Sequence, residues 1–306
     1  NRRRDESNWV WPTIIRAFSI GESGVVASRK GITVILIGGV AAISTSAVLI
    51  RLAQAPPPVI AFYRMFFSTL FFAPLALKQS KEHKLSRGQL ALALGAGALL
   101  ASHFLLWMTS LQYTSVASSV VLVTTQPLWV FLISVLFLQE KPTGLMWLGL
   151  FVALLGSVMV VFTQGSAEAS RLLGNLLALG GAIMMAAYFV VGRRLRKDLP
   201  LALYSALIYA TSSVVIAFFM WITGVPWGGY TPQTWLIFVA LALVPTVLGH
   251  NSLNWALKYL PATMVSVMIL GEPLGASILA CFILNEIPSL LEIAGSLVTL
   301  IGIFLV

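Results

Sequence analysis

The sequence predicts an all-α integral membrane fold: ten transmembrane helices arranged as two inverted-topology five-helix repeats around a central cavity. Three observations predict it. Of the chain's 306 residues, 58% are hydrophobic and only 9% are charged, where a soluble chain carries about a quarter charged residues. A water-soluble exterior cannot accommodate so much apolar surface, and lipid removes that constraint. The apolar residues fall in long runs, each near the ~20 residues that cross a hydrocarbon core. Finally, the second half of the chain repeats the first at a fixed offset.

The runs lie near 31–53, 58–77, 90–110, 115–138, 144–162, 172–192, 201–223, 233–256, 261–284 and 289–306. Strands of a β-barrel would be shorter and would alternate apolar with polar. Residues 1–30 form a separate cytoplasmic segment rich in Arg2, Arg3, Arg4, Arg16, Arg29 and Lys30. It mixes charge with Trp9, Trp11, Ile14, Ile15 and Phe18, so it lies along the membrane surface or stays disordered. No signal-peptide pattern stands out. The chain begins without Met and ends inside an apolar run, as a trimmed chain would.

A net charge of +9 suggests nucleic acid until the charges are placed. They cluster between the apolar runs, where Lys and Arg set membrane topology. The N-terminal segment, Lys78, Lys81, Lys84, Arg87, Lys141, Arg193, Arg194, Arg196, Lys197 and Lys258 fall on one side, 16 of the 19 basic residues. The other side holds Arg51 and Arg171, and Arg64 lies within a span. The bias places both termini in the cytoplasm, as an even span count requires. The expected partners are a small-molecule substrate and membrane lipid, with no nucleic acid.

A shift of 146 residues superposes Leu111 on Leu257, Tyr113 on Tyr259, Pro127 on Pro273, Glu140 on Glu286, Pro142 on Pro288, Gly149 on Gly295 and Gly156 on Gly302. A shift of 142 aligns the earlier parts more weakly: Gly38 with Gly180, Gly39 with Gly181, Arg51 with Arg193 and Pro58 with Pro200. The repeats run over 31–162 and 171–306. Five spans per repeat is an odd number, so the second copy enters from the opposite side. Two similar halves of opposite orientation can exchange conformations around a shared midplane site.

The residues Pro127, Glu140, Gly149 and Gly156, repeated with equal spacing as Pro273, Glu286, Gly295 and Gly302, carry a family resemblance, joined by Glu272-Pro273. Over residues 31–306 the chain resembles the drug/metabolite transporter superfamily, EamA type, and within it the YddG-type amino-acid exporters. The resemblance implies a ten-helix carrier with a central cavity and no cofactor, in a bacterial inner membrane. Where Lys141 follows Glu140, the second copy has Ile287, so the repeats share no role for this lysine.

Charged groups inside lipid are expensive, roughly 2.5–3.5 kcal/mol at a helix centre, and usually face the bundle interior. Arg64 is a candidate for gripping a substrate carboxylate; the plainer readings are snorkelling to the outer interface, or a structural pair with Glu272 or a helix C-terminus. Glu272 is a candidate for a substrate ammonium or a transported proton, against a neutral packing role; its repeat mate is Gln126. His103 shares a helix face with Trp107 and Ser110, and His250 with Thr246 and Asn254, and both faces are candidates to line the cavity. Trp107 offers an apolar or cation–π surface. Hydrogen-bonded packing histidines are the bland alternative. His83 lies in a loop and no HExxH stretch exists, so no metal site is expected. Ser44, with Thr45 and Ser46, and Gln126, with Thr124 and Thr125, form polar triplets, and Tyr188 is a further candidate; for each, bonding within the bundle is the simpler reading.

Pro127 and Pro273 should kink their spans at equivalent heights, as gates or as static bends. Gly149/Gly156 and Gly295/Gly302 should let the fifth and tenth spans pack closely, within one subunit, so a monomer suffices. Glu140 and Glu286 should cap the helices that follow them. Cys281, the lone cysteine, excludes an internal disulfide.

These residues favour a secondary transporter that exports small polar metabolites, amino acids first among them, by alternating access. A sugar-phosphate or nucleotide-sugar carrier of the same superfamily is the alternative, against which the scarcity of basic residues in the spans counts. An intramembrane enzyme needs a nucleophile–base pair or a metal, and no Asp lies in any span. A channel or non-transporting receptor is a further alternative, over which the inverted repeat favours alternating access.

Overall fold

A computed structural model of the chain describes residues 29–138, 143–162 and 169–305. The expectations for residues 1–28, Glu140, Lys141 and Pro142 lie outside them. The described residues are helical, with no strand among them. In chain order the α-helices are α1 (Arg29–Ser44), α2 (Ser46–Leu52), α3 (Pro57–Glu82), α4 (Arg87–Ser110), α5 (Val116–Val123), α6 (Gln126–Leu138) and α7 (Gly144–Phe162). The second half holds α8 (Ala169–Arg196), α9 (Leu201–Thr223), α10 (Pro232–Leu241), a π-helix (Ala242–His250), α11 (Asn251–Ala256), α12 (Ala262–Met268), a 3₁₀ turn (Ile269–Gly271), α13 (Glu272–Leu284) and α14 (Leu290–Leu305).

Among the described residues, eight helical segments are long and apolar enough to cross a membrane: Val34–Leu52, Pro57–Glu82, Arg87–Ser110, Val116–Ile133, Ser170–Arg196, Leu201–Thr223, Pro232–Ala256 and Ala262–Leu284. The fifth and tenth apolar runs give the shorter helices Gly144–Met159 and Leu290–Leu305. The chain is a multi-pass membrane protein.

Local chemistry sets the helix starts. Ser86 and Gln89 exchange side-chain and backbone bonds in a capping box before α4. Ser115 accepts from Ser118 N at 3.1 Å to start α5, and Thr231 caps α10 ahead of Pro232. Gly224 closes α9 in the left-handed conformation, φ 68°.

Four of the apolar segments are broken near their middles: at Thr45 between α1 and α2, at Thr124–Thr125 between α5 and α6, through the π-helix, and at the 3₁₀ turn before α13. The second and fourth breaks immediately precede Pro127 and Pro273, as the repeat leads one to expect. The π-helix contains Pro245, a mark the sequence reading passed over, and the break at Thr45 carries no proline. Hydroxyls satisfy the disturbed backbone: Thr45 Oγ1 donates to Ala42 O at 2.7 Å, Thr125 Oγ1 to Leu122 O at 2.7 Å, and Thr246 Oγ1 to Leu241 O at 2.9 Å. In lipid such bonds make an interrupted helix tolerable.

Packing exposes the internal relation between the halves. A Cβ on Gly156 would stand 2.5 Å from Thr299 Oγ1, and one on Gly302 would stand 2.6 Å from Ala153 Cα. As α7 advances from Ala153 to Gly156, its contact on α14 retreats from Gly302 to Thr299, so the two helices run antiparallel. The 146-residue offset converts one contact into the other. A looser exchange, which needs the 142-residue shift for one partner and the 146-residue shift for the other, recurs between α1 and the π-helix and between α4 and α8. A Cβ on Gly39 would lie 3.4 Å from Gly249 O, and one on Gly181 would lie 3.5 Å from His103 O. Gly39 matches Gly181, and His103 matches Gly249.

Side-chain contacts define two ends of the bundle. At the basic end, Gln79 Oε1 accepts from Leu203 N at 3.0 Å, and the guanidiniums of Arg193 and Arg196 donate to Leu257 O and Asn254 O. Arg196 is not the solvated loop residue expected: it is fully buried in the last turn of α8. By capping carbonyls at the end of α11, the two arginines let α8 run past its apolar stretch. At the opposite end, Arg51 donates to Thr114 O at 2.8 Å, Thr114 Oγ1 to Asn175 Oδ1 at 2.9 Å, and Tyr63 Oη to Trp227 O at 2.7 Å.

Candidate functional site

The four helix breaks converge on a polar region at mid-height. Arg64, on α3, is fully buried there, so it does not snorkel. Its Nε donates to Thr246 Oγ1 in the π-helix at 2.7 Å, and its Nη1 to Ser46 Oγ beyond the Thr45 break, also at 2.7 Å. The guanidinium lies 4.4 Å over the Phe104 ring, a cation–π contact strengthened by exclusion of water. It forms no ion pair with Glu272, and its Nη2 has no protein partner. Three segments therefore hold one charge whose donor set is incomplete.

Phe104 connects this charge to a small chamber. Its ring meets those of His103 at 4.9 Å, Trp107 at 6.4 Å and His250 at 5.8 Å. His103 stacks on Trp107 at 5.8 Å and 18°, one helical turn away as their spacing predicts. His103 Nδ1 bonds Gly181 O at 2.9 Å. Because the backbone carbonyl is an acceptor, Nδ1 carries the proton and Nε2 is left as an acceptor when the ring is neutral.

The chamber is lined by His103, Trp107, Val123, Thr124, Gln126, Met185, His250 and Glu272, and encloses about 10 Å³. That is room for a single water at most. Glu272 is buried at the first turn of α13, and neither its carboxylate nor the Gln126 amide receives a hydrogen bond among the described residues. Trp107 Nε1 is likewise buried without a partner. Buried polar groups are almost always paired, so this indole N–H on the chamber wall calls for an explanation.

The structure brings together five of the sequence-predicted residues: His103, Trp107, Gln126, His250 and Glu272, with Arg64 behind Phe104. It sets three others apart. Ser44 Oγ donates to Val40 O at 2.9 Å and packs against α13, where a Cβ on Gly275 would be 2.5 Å away. Tyr188 and Asn254 belong to a separate network nearer the basic end. There Tyr188 Oη donates to Asn254 Oδ1 at 2.7 Å, Asn254 Nδ2 to Tyr209 Oη at 3.3 Å, and Ser205 Oγ to Asn251 Oδ1 at 2.6 Å. Asn254 is one turn beyond His250, and at 1.5 Å per residue that carries it ~6 Å along the axis, out of the chamber. Pro127 and Pro273 flank the chamber through Gln126 and Glu272 rather than lining it.

Sequence reasoning missed Phe104, which looks like any apolar residue in a span, and Met185. It also missed Glu292, on the first turn of α14. This carboxylate accepts from Ser115 Oγ at 2.8 Å, Ser118 Oγ at 2.7 Å and Ser289 N at 2.8 Å. The pair Ser289–Glu292 does carry the capping-box spacing. Glu286 is a cap, but not of the following helix: its Oε2 accepts from Val116 N of α5 at 2.9 Å, and its Oε1 pairs with Arg51 at 3.2 Å.

Comparison with known proteins gives this architecture a family. The chain is similar to the uncharacterized transporters YyaM and YwfM of Bacillus subtilis (strain 168). It is 27% identical to YyaM, over 65% of this chain and 66% of that protein, and 23% identical to YwfM, over 76% and 78%. An uncharacterized transporter of Archaeoglobus fulgidus is 24% identical over 97% of this chain and 98% of its own. These names carry no substrate, and they lend the expected likeness to amino-acid exporters no support. A crystal structure of another protein has the same fold, with a TM-score of 0.63 at 18% identity, over 91% of this chain and 96% of that one. The EamA-like transporter family matches twice, over residues 29–162 and 172–306. The two matches cover both halves of the chain, and the chain belongs to the EamA-like transporter family.

Proposed function

We propose that this chain exports small zwitterionic metabolites, amino acids foremost, across a bacterial inner membrane by alternating access. In this reading it crosses the membrane ten times in two five-helix halves of opposite orientation, with both termini in the cytoplasm. The antiparallel α7–α14 contact and its exchange under the 146-residue offset support the inverted relation. α14, at 16 residues, is ~24 Å long and needs only local thinning to span. The clustering of basic residues at one end of the bundle supports the orientation.

The observation that carries the substrate class is the polar set in and behind the chamber: the Glu272 carboxylate, with no hydrogen bond among the described residues, and Trp107 Nε1 on its wall, with Arg64 Nη2, also without an acceptor, on the far side of Phe104. A zwitterion supplies what both need, an ammonium for Glu272 and a carboxylate for the donors. Phosphorylated sugars or nucleotides would place two or more negative charges against one guanidinium and one carboxylate. At ~10 Å³ the chamber is closed around nothing larger than water. Binding therefore requires the halves to part, as alternating access demands. The ends differ in a way that suits one step of that cycle. The basic end is plugged by Tyr188, Tyr209 and Arg196, all fully buried, while the opposite end is hollow.

The test is flux of labelled amino acids, sugars and nucleotides in proteoliposomes, with and without a pH gradient. Amino-acid flux above that of empty liposomes is expected. Flux confined to sugars or nucleotides would overturn the substrate class. Persistence without a gradient would indicate facilitated diffusion.

A further inference from the structure

At the end opposite the basic one, a cavity of about 340 Å³ opens between α5 and α13, with Arg51, Arg171, Glu286 and Glu292 on its walls. Its size falls within the roughly 300–1,000 Å³ of small-molecule sites. We propose that this vestibule is a second substrate site, which takes a small zwitterion by exchanging the Arg51–Glu286 ion pair for the ligand's own carboxylate and ammonium. The proposal rests on the zwitterion-carrier reading and extends it to a second station.

Four observations support it. The wall charges balance, two arginines against two glutamates, so neither a lone cation nor a lone anion is favoured over a ligand bearing both signs. The Arg51–Glu286 pair, 3.2 Å apart with its side chains 31% and 30% exposed, is of the weakly held kind. Both partners stay in place when it opens, because Arg51 also bonds Thr114 O at 2.8 Å and Glu286 also bonds Val116 N at 2.9 Å. The site is thus preorganised, with little ordering left to do on binding.

The fourth observation is position. Ser277 borders the vestibule and Glu272 borders the chamber, both on α13. They are five positions apart, ~7.5 Å along the helix. On α5, Ala117 borders the vestibule and Val123 the chamber. The same two helices wall both spaces, and the residues they give to the vestibule lining are small: Ala117, Ser277 and Ala280. A ligand leaving the chamber along this seam meets the vestibule next.

The experiment uses the full chain in proteoliposomes, with Cys281→Ser and a single new cysteine at Ser277→Cys, labelled by a membrane-impermeant maleimide. Three nearly isosteric probes separate the charges: L-alanine, its cationic amide L-alaninamide, and anionic L-lactate. L-alanine should slow labelling at least fivefold and the other two less than twofold. Arg51→Gln and Glu286→Gln should each abolish that protection, and Arg51→Lys and Glu286→Asp should partly restore it. Equal protection by all three probes, or protection unchanged in Arg51→Gln and Glu286→Gln, overturns the proposal. A parallel Trp107→Cys protein and L-alanine flux separate the two readings. Protection at Trp107→Cys with flux, but none at Ser277→Cys, removes the vestibule and leaves the carrier. Protection at Ser277→Cys alone, without flux, removes the carrier reading and leaves the vestibule; protection at neither removes both.

Discussion

Placing a methyl group on Gly156 tests the seam that joins the two halves. The added Cβ would stand 2.5 Å from Thr299 Oγ1 and 2.7 Å from Gly295 O, where ordinary contact begins at 3.4 Å. The backbone N of Thr299 is closer still, so the α14 helix must retreat by about 1 Å, a gap that forfeits up to about half of each dispersion contact it opens. Overpacking of this kind costs about 1–3 kcal/mol, and backbone obstacles place it in the upper half of that range. The better helix propensity of alanine returns ~0.8–1 kcal/mol. The net loss is about 1–2 kcal/mol, a fall of roughly 2–8 °C in Tm. Gly302→Ala should behave alike, since its Cβ would lie 2.6 Å from Ala153 Cα. The double variant should lose less than the sum of the two, because one separation makes room for both methyls. Thermal unfolding in detergent, followed by a thiol-reactive dye on Cys281, reports the shifts; Gly38→Ala and Gly95→Ala, with nothing within 4 Å of the added atom, are the controls. If Gly156→Ala melts with those controls, or the double variant is fully additive, the shared seam is wrong.

Glu272→Gln should abolish any dependence of flux on the pH gradient while leaving the fold intact, since the amide keeps the shape but cannot exchange a proton; unchanged gradient-driven flux would remove the proton role. Arg64→Lys keeps the charge but loses the fork that reaches both Ser46 and Thr246, and one charged hydrogen bond is worth ~1.5–3 kcal/mol; a tenfold or greater loss of flux at low substrate is expected, and wild-type flux would show that charge alone suffices. Glu292→Ala strands the donors Ser115, Ser118 and Ser289 and should cost about 3 kcal/mol, whereas Glu292→Gln, which keeps an acceptor, should cost less; dye-monitored unfolding distinguishes them. Tyr188→Phe removes the bond to Asn254 and ~1 kcal/mol from the plug at the basic end, so a cysteine at Ser205 should label about fivefold faster; an unchanged rate would show that the plug does not open.

The amino-acid sequence settled the membrane class, the duplicated halves, the breaks beside Pro127 and Pro273 and the glycine seam. These follow from composition, run length, fixed spacing and the absence of a side chain, all local or periodic properties that need no knowledge of neighbours. It also singled out Glu272, Arg64, His103 and His250, because an ionisable group is conspicuous in an apolar run. Tertiary packing decided how these groups are shared out. Tyr188 and Asn254 have the same polarity as Gln126, yet one helical turn of height assigns them to a plug rather than to the chamber. Phe104 carries no polar mark, and only its place between a buried guanidinium and two imidazoles gives it a role. Glu286 and Glu292 reach helix starts 170 and 174 residues away in sequence, which no local pattern encodes. Sequence spacing fixes which face of a helix a residue occupies; which neighbour meets that face, and at what depth, depends on how the helices assemble.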